Sequence, residues 1–127
     1  MSAASLPTLK LKHGEDRRLR AGHLWVYSNE VDTAATPLTA FEPGGLAQLL
    51  DHRGQFVGYA YVNPATLIAA RIVSRAAAHP VDGSLFVERL RRARALRERL
   101  HPAPYWRWIY GESDGLPGLV LDRFGDL

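Results

Sequence analysis

Three carboxylates, Glu112, Asp114 and Asp122, fall within a short stretch near the end of the chain, a density that invites metal binding or acid–base catalysis. The surrounding residues support neither. A hard-cation loop supplies several oxygens at fixed spacing, and the apolar run LPGLVL interrupts any such array. The histidines, His13, His23, His52, His79 and His101, are scattered, with no pair at zinc-ligand spacing. Ser113 has the G-x-S-x-G spacing of a nucleophile elbow, from Gly111 to Gly115, but Pro117 and Gly118 stand where the following helix must begin. The chain has no cysteine, which excludes disulfides, thiolate metal sites and a thiolate nucleophile within it. The sequence therefore predicts no catalytic residue and no metal site.

The remaining chemistry is cationic. In GEDRRLRAGHLWVYSNEV, Gly14 to Val31, Arg17, Arg18 and Arg20 crowd one helical turn, with Glu15 or Asp16 as cap or first-turn acid and Gly22 as the stop. His23 to Tyr27 then reads as an aromatic strand burying alternate side chains. Ahead of it, LPTLKLK alternates Leu9 and Leu11 with Lys10 and Lys12, the period of a half-buried strand with a basic outer face. A net charge of +3 favours a polyanionic partner without proving one.

The elements that would position these residues form two groups. Leu46–Asp51 and Phe56–Asn63 read as a hairpin around Asp51–Gly54, and Leu67–Arg75 as a last strand, with Ile68, Ala70 and Ile72 on one side and Arg71 and Arg75 on the other. The second run carries apolar bulk on both faces, which suits a curved sheet closing on itself, and strands every ten or so residues indicate a small barrel. The intervening Thr33–Pro43 stretch reads as loop.

After Arg75 the composition shifts. From Ser84, Phe86, Leu90, Ala93, Leu96 and Leu100 recur at helical steps, with Asp82 or Ser84 as cap and Pro102 as terminator. The other face carries Arg89, Arg91, Arg92, Arg94, Arg97 and Arg99 and reads as solvated. Tyr105–Tyr110 is strand-like, with Trp106, Trp108 and Tyr110 assigned to one face, and Leu119–Leu121 is a short strand beyond two turn dipeptides, Asp114-Gly115 and Pro117-Gly118. The fold class is thus α+β, mainly β: a barrel domain over residues 1–76, a linker over 77–83, and a helix with strands over 84–127 that begin a second small domain. No apolar run approaches the roughly 20 residues of a membrane helix, and no secretory signal is seen at the start, so a cytoplasmic protein is the default.

Two segments carry a family resemblance. RRLRAGHLWVYSNEV is similar to the start of the PUA domain of the bacterial S-adenosylmethionine-dependent large-subunit rRNA cytosine-5 methyltransferases. GESDGLPGLVLDRFGD resembles the G-E-x-D-G-L-P-G-L-x-x-D segment of the same family, between its PUA and catalytic domains. The resemblance implies rRNA as partner and places Arg17, Arg18, His23 and Trp25 near the RNA-facing surface, with Trp25 assigned to the core rather than to contact; the barrel is read as presenting Lys10, Lys12 and Arg20 to phosphates beside them. Glu112, Asp114, Gly115, Pro117, Gly118 and Asp122 become the family motif that shapes the middle domain.

Catalysis is expected elsewhere. Attack at C6 of cytosine is supplied by cysteine in the enzymes this chain resembles, and a class I cofactor site needs a glycine-rich turn after a parallel strand. The chain has no cysteine and no G-x-G. It is read as the RNA-recognising, catalytically silent portion of a longer enzyme, with S-adenosylmethionine bound beyond Leu127. A stand-alone PUA-type RNA-binding adaptor is the alternative, and a protein-interaction module docking through Tyr105–Tyr110 is another. The aromatic strand would also favour self-association through residues 105–122.

Overall fold

A computed structural model describes residues 6–77 and 81–125. The chain divides into two compact units, Met1–Pro80 and Val81–Leu127. His79 and part of the expected linker lie outside the described residues.

The first unit is a five-stranded mixed sheet with one short helix, α1 (Arg17–Arg20). The apolar runs form β3 (Gly45–Leu50), β4 (Phe56–Val62) and β5 (Ile68–Ser74), paired antiparallel in succession. The sheet is extended by β1 (Thr8–Lys10), parallel to β3 with Leu9 opposite Leu49, and by β2 (Trp25–Tyr27), antiparallel to β5 with Val26 opposite Ala70. The strand order is β1-β3-β4-β5-β2. A single antiparallel bridge, Leu11 to Val31, joins the two edges. Around it the Lys12 amide donates to the Glu30 carbonyl and the Asp32 amide to the Lys10 carbonyl, each at 2.9 Å. The expected barrel is therefore a curled sheet closed by one bridge, because β1 and β2 are too short to form a full ladder with each other.

Leu9, Leu11, Val26, Val31, Leu49, Val62 and Ile72 fill its interior. The two apolar faces foreseen for β4 are realised: Val57, Gly58, Tyr59 and Ala60 are consecutive buried residues. The Tyr59 hydroxyl donates to the Ala77 carbonyl at 3.0 Å, so the ring is buried with its polar end satisfied.

The second unit sets α2 (Gly83–Leu100) against a hairpin of β6 (Tyr105–Tyr110) and β7 (Val120–Phe124). Asp82 is the cap, its Oδ1 accepting from the amides of Ser84 and Leu85 at 3.0 and 3.4 Å. Phe86, Leu90 and Ala93 pack on Ile109, Leu116 and Trp108. The expected helical stripe ends there: Leu96 and Leu100 are exposed. A two-stranded sheet is too narrow to cover the whole 18-residue helix, and near its end the inward position belongs to Arg97, whose Nε donates to the Arg107 carbonyl at 3.1 Å.

The single aromatic face assigned to β6 also fails. A bulge between Arg107 and Ile109 changes the alternation, so Trp106 and Ile109 are buried while Tyr110 is exposed. Tyr105, Val120 and Phe124 are exposed as well. The observed class is α+β and mainly β, as the sequence indicated. Among the described residues no helix is long and apolar enough to cross a membrane.

Candidate nucleic-acid interface

The arginines of α1 occupy a single turn, whose one buried residue, Leu19, seats it on the barrel. Asp16 stands at the cap position but makes no capping hydrogen bond. Its Oδ2 instead accepts from Arg20 Nε at 2.8 Å, and that bond holds the Asp16 carboxyl below its ordinary pKa. Gly22, at φ 120°, turns the chain from α1 into β2 through a conformation that side chains with a Cβ rarely adopt.

Two buried acids anchor two of the arginines. Glu30, 8% exposed, accepts Arg18 Nη2 on both carboxylate oxygens at 2.7 and 2.9 Å, and its Oε1 accepts the Tyr27 amide at 2.8 Å. Burial alone would raise the Glu30 pKa, but the Tyr27 amide and Arg18 guanidinium outweigh it and hold the carboxyl below the ordinary value. The Glu30 carboxylate in turn pushes Glu15 up. Asp51 Oδ2 accepts Arg20 Nη2 at 3.0 Å, and Asp51 Oδ1 accepts the amides of Arg53 and Gln55 at 2.9 Å. The Gln55 amide contributes most to keeping the Asp51 carboxyl below its ordinary range.

Arg75 works from beneath. Its guanidinium donates to the Leu19 carbonyl at 2.6 Å and the His23 carbonyl at 2.8 Å, and burial lowers its pKa.

The expected interface residues thus take two roles. Arg18, Arg20 and Arg75 are tied into the scaffold by carboxylates and carbonyls. Lys12, Arg17 and His23 are exposed around the helix, and neither Lys12 nor Arg17 has an ion-pair partner among the described residues. Lys10 is half-buried on β1, its amide donating to Thr36 Oγ1 at 3.1 Å.

Trp25, assigned to the core from the sequence, is 36% exposed on an edge strand. The Arg71 guanidinium lies 5.5 Å from its ring centroid, and that of Arg18 lies 5.3 Å from the Tyr27 centroid. The acids that hold the arginines escaped the sequence reading because Glu30 and Asp51 are distant in the chain. Asp51 directly follows the apolar run of β3 and Glu30 ends a 3-10 turn after β2, and a buried charge at either place needs a partner. Another unforeseen pairing stacks His13 on His52, with centroids 4.2 Å apart and planes 5° from parallel.

In the second unit each motif carboxylate has a structural partner. Asp114 accepts Arg97 Nη1 and Nη2, both at 2.8 Å, and the Tyr110 amide at 2.7 Å. Burial opposes ionisation of Asp114, but Arg97 and the Tyr110 amide prevail and lower its pKa. Glu112 Oε1 accepts the Gly118 amide at 3.2 Å, and Asp122 Oδ1 accepts Arg107 Nε at 2.8 Å. Gly111–Asp114 is a 3-10 turn ending at Gly115, whose φ of 75° suits glycine, with the Arg89 side chain close against it. Arg89 also donates to the Gly115 carbonyl, so Arg89 and Arg97 belong to the unit's internal bonding rather than to a solvated face. Leu116 to Leu119 then lead into β7 rather than a helix, which leaves Ser113 without the strand-to-helix setting of an elbow. Among the described residues no three histidine or carboxylate groups gather as a metal site.

The PUA-like domain model matches residues 9–75, the stretch that forms the curled mixed sheet and the short basic helix between its first two strands. The chain belongs to this PUA-like domain family. Over 122 residues it is 36% identical to the "Ribosomal RNA large subunit methyltransferase I" of Salmonella arizonae, a match covering 94% of this chain and 30% of that protein. The corresponding protein of Salmonella paratyphi B is 34% identical over the same coverage. The chain therefore spans about a third of the length of the curated relatives it matches. Among solved structures, a Streptococcus mutans protein described as a candidate SAM-dependent methyltransferase superposes with a TM-score of 0.73 at 15% identity, covering 95% of this chain and 31% of that one, a likeness of fold.

Proposed function

We propose that this chain is the RNA-recognising portion of an S-adenosylmethionine-dependent methyltransferase that forms 5-methylcytosine in large-subunit rRNA in the cytoplasm. The domain division read from the sequence belongs to this proposal: residues 1–76 bind RNA and residues 84–127 begin a middle domain. The observation that carries it is the division of labour in the arginine turn. Arg18, Arg20 and Arg75 fix the helix in place, while Lys12, Arg17 and His23 stay exposed on a rigid support, as phosphate contacts that position a nucleic acid require.

S-adenosylmethionine supplies the methyl group in this chemistry, and the residues of this chain do not fit it. Its site in doubly wound methyltransferases lies at the carboxyl ends of parallel strands, beside a glycine turn entering a helix. Here the one parallel pair among the described strands is β1 with β3. The turn from β1 into α1 holds a single glycine, Gly14, ahead of a four-residue helix, and β3 leads into another strand rather than a helix. In this reading the methyl donor and the attacking nucleophile are held outside residues 1–127.

Titration of the chain with large-subunit rRNA fragments at several salt concentrations tests the reading. Replacing Lys12 and Arg17 by Ala should weaken binding and reduce the salt slope by roughly 0.7–0.9 for each phosphate no longer neutralised. An unchanged slope would count against the proposal. Bisulfite sequencing of rRNA from cells deleted for the gene checks the methylation: one protected cytosine should become reactive.

A further inference from the structure

The outward face of the barrel carries a row of side chains that the phosphate-binding residues do not use. Trp25 on β2 is registered opposite Arg71 on β5, Arg71 opposite Tyr61 on β4, and Tyr61 opposite Leu46 on β3. Directly opposed residues share a face. Their chain neighbours Val26, Ala70, Ala60, Val62 and Ala47 are all buried in the core, so this row points outward across four strands.

Resting on the RNA reading above, we infer that the row Trp25–Arg71–Tyr61 is a stacking platform for an unpaired nucleotide of the RNA. A tryptophan on the outer face of an edge strand exposes aromatic surface that folding alone does not require. Arg71, its planar guanidinium 5.5 Å from the Trp25 centroid, is registered between Trp25 and Tyr61. Flat faces of ring and guanidinium match the flat face of a base, and the cation complements the phosphate attached to it. Bases inside a duplex are already stacked on one another, so such a platform selects single-stranded or looped-out nucleotides.

The test uses the whole chain and two probes: a short unstructured RNA and the same RNA annealed to its complement, each followed by fluorescence anisotropy. Trp25→Ala should weaken binding of the single strand roughly 5–150-fold, the range of one base–aromatic stack removed, while duplex affinity and the salt slope stay as in the parent. Trp25→Phe should restore most of the loss, because it keeps an aromatic face. An equal loss on both probes, or no loss on the single strand, overturns the platform. Binding that depends on Lys12 and Arg17 but prefers the duplex overturns it too while sparing the RNA reading. Failure of the parent chain to bind either probe at low salt overturns the RNA reading and the platform together.

Discussion

Asp114→Ala probes how the second unit is held together. The side chain is 7% exposed and that of its partner Arg97 15%. The carboxylate accepts two guanidinium hydrogen bonds and one from the Tyr110 amide. Removing it strands a largely buried cation and an amide donor at once. Breaking a buried ion pair costs about 3–5 kcal/mol, and the partial exposure of this pair brings the expectation to about 3 kcal/mol. A unit as small as Val81–Leu127, at roughly 0.05–0.15 kcal/mol per residue, has a few kcal/mol in all.

The substitution should therefore leave the second unit largely unfolded while the barrel stays intact. Hydrogen exchange with peptide resolution measures this directly. Amides of Trp106 to Leu116 should lose protection in the variant, while those of β3 to β5 keep theirs. Because the Asp114 pKa is lowered by folding, its contribution is full above the free carboxylate value of about 3.9 and is lost as the pH falls below that through the native value. The parent should thus show an acid loss of protection that the variant lacks. Parental protection in the variant at neutral pH would show that the ion pair does not hold the unit together.

Two other substitutions examine the barrel. Glu30→Ala should destabilise it by about 2 kcal/mol, by stranding Arg18 and the Tyr27 amide. Its stabilisation, like that of Asp114, should be present above the free glutamate pKa of about 4.3 and fade on acidification, as urea midpoints at several pH values would show. Gly58→Ala should cost about 1–3 kcal/mol by overpacking, since a Cβ there would stand 3.0 Å from the Ser74 carbonyl oxygen and 3.3 Å from Ile72 Cγ2. Thermal unfolding of the barrel measures it, and an unshifted midpoint would contradict the packing described.

The sheet was legible because its strands obey local rules. Apolar alternation places Leu9 and Leu11 inside, and the Asp51–Gly54 turn forces the hairpin of β3 and β4. Asp82 as a cap is equally local. What escaped the sequence depends on partners far along the chain. Trp25 looks like a core residue by type, and only its place on an edge strand, opposite Arg71, turns it outward. Arg18 and Arg20 read as RNA-facing until Glu30 and Asp51 arrive from other parts of the fold. The β6 bulge has no turn residue to announce it, so period-two reasoning carried Tyr110 to the wrong face. The exposed Leu96 and Leu100 reflect the width of the neighbouring sheet, which helix periodicity does not encode.

Arg75 follows the last residue of β5, where the chain leaves the barrel, and both of its hydrogen bonds reach back to carbonyls of the arginine turn. That arrangement makes the exit strand a lever. A displacement of the chain beyond Ser74 is transmitted across two bonds to Leu19 and His23, more than fifty residues earlier, without passing through the core. The segment after β5 and the segment around α1 thus share a direct connection. The Arg75 guanidinium shares that task with the Ile72 amide, which donates to the Leu24 carbonyl at 2.8 Å.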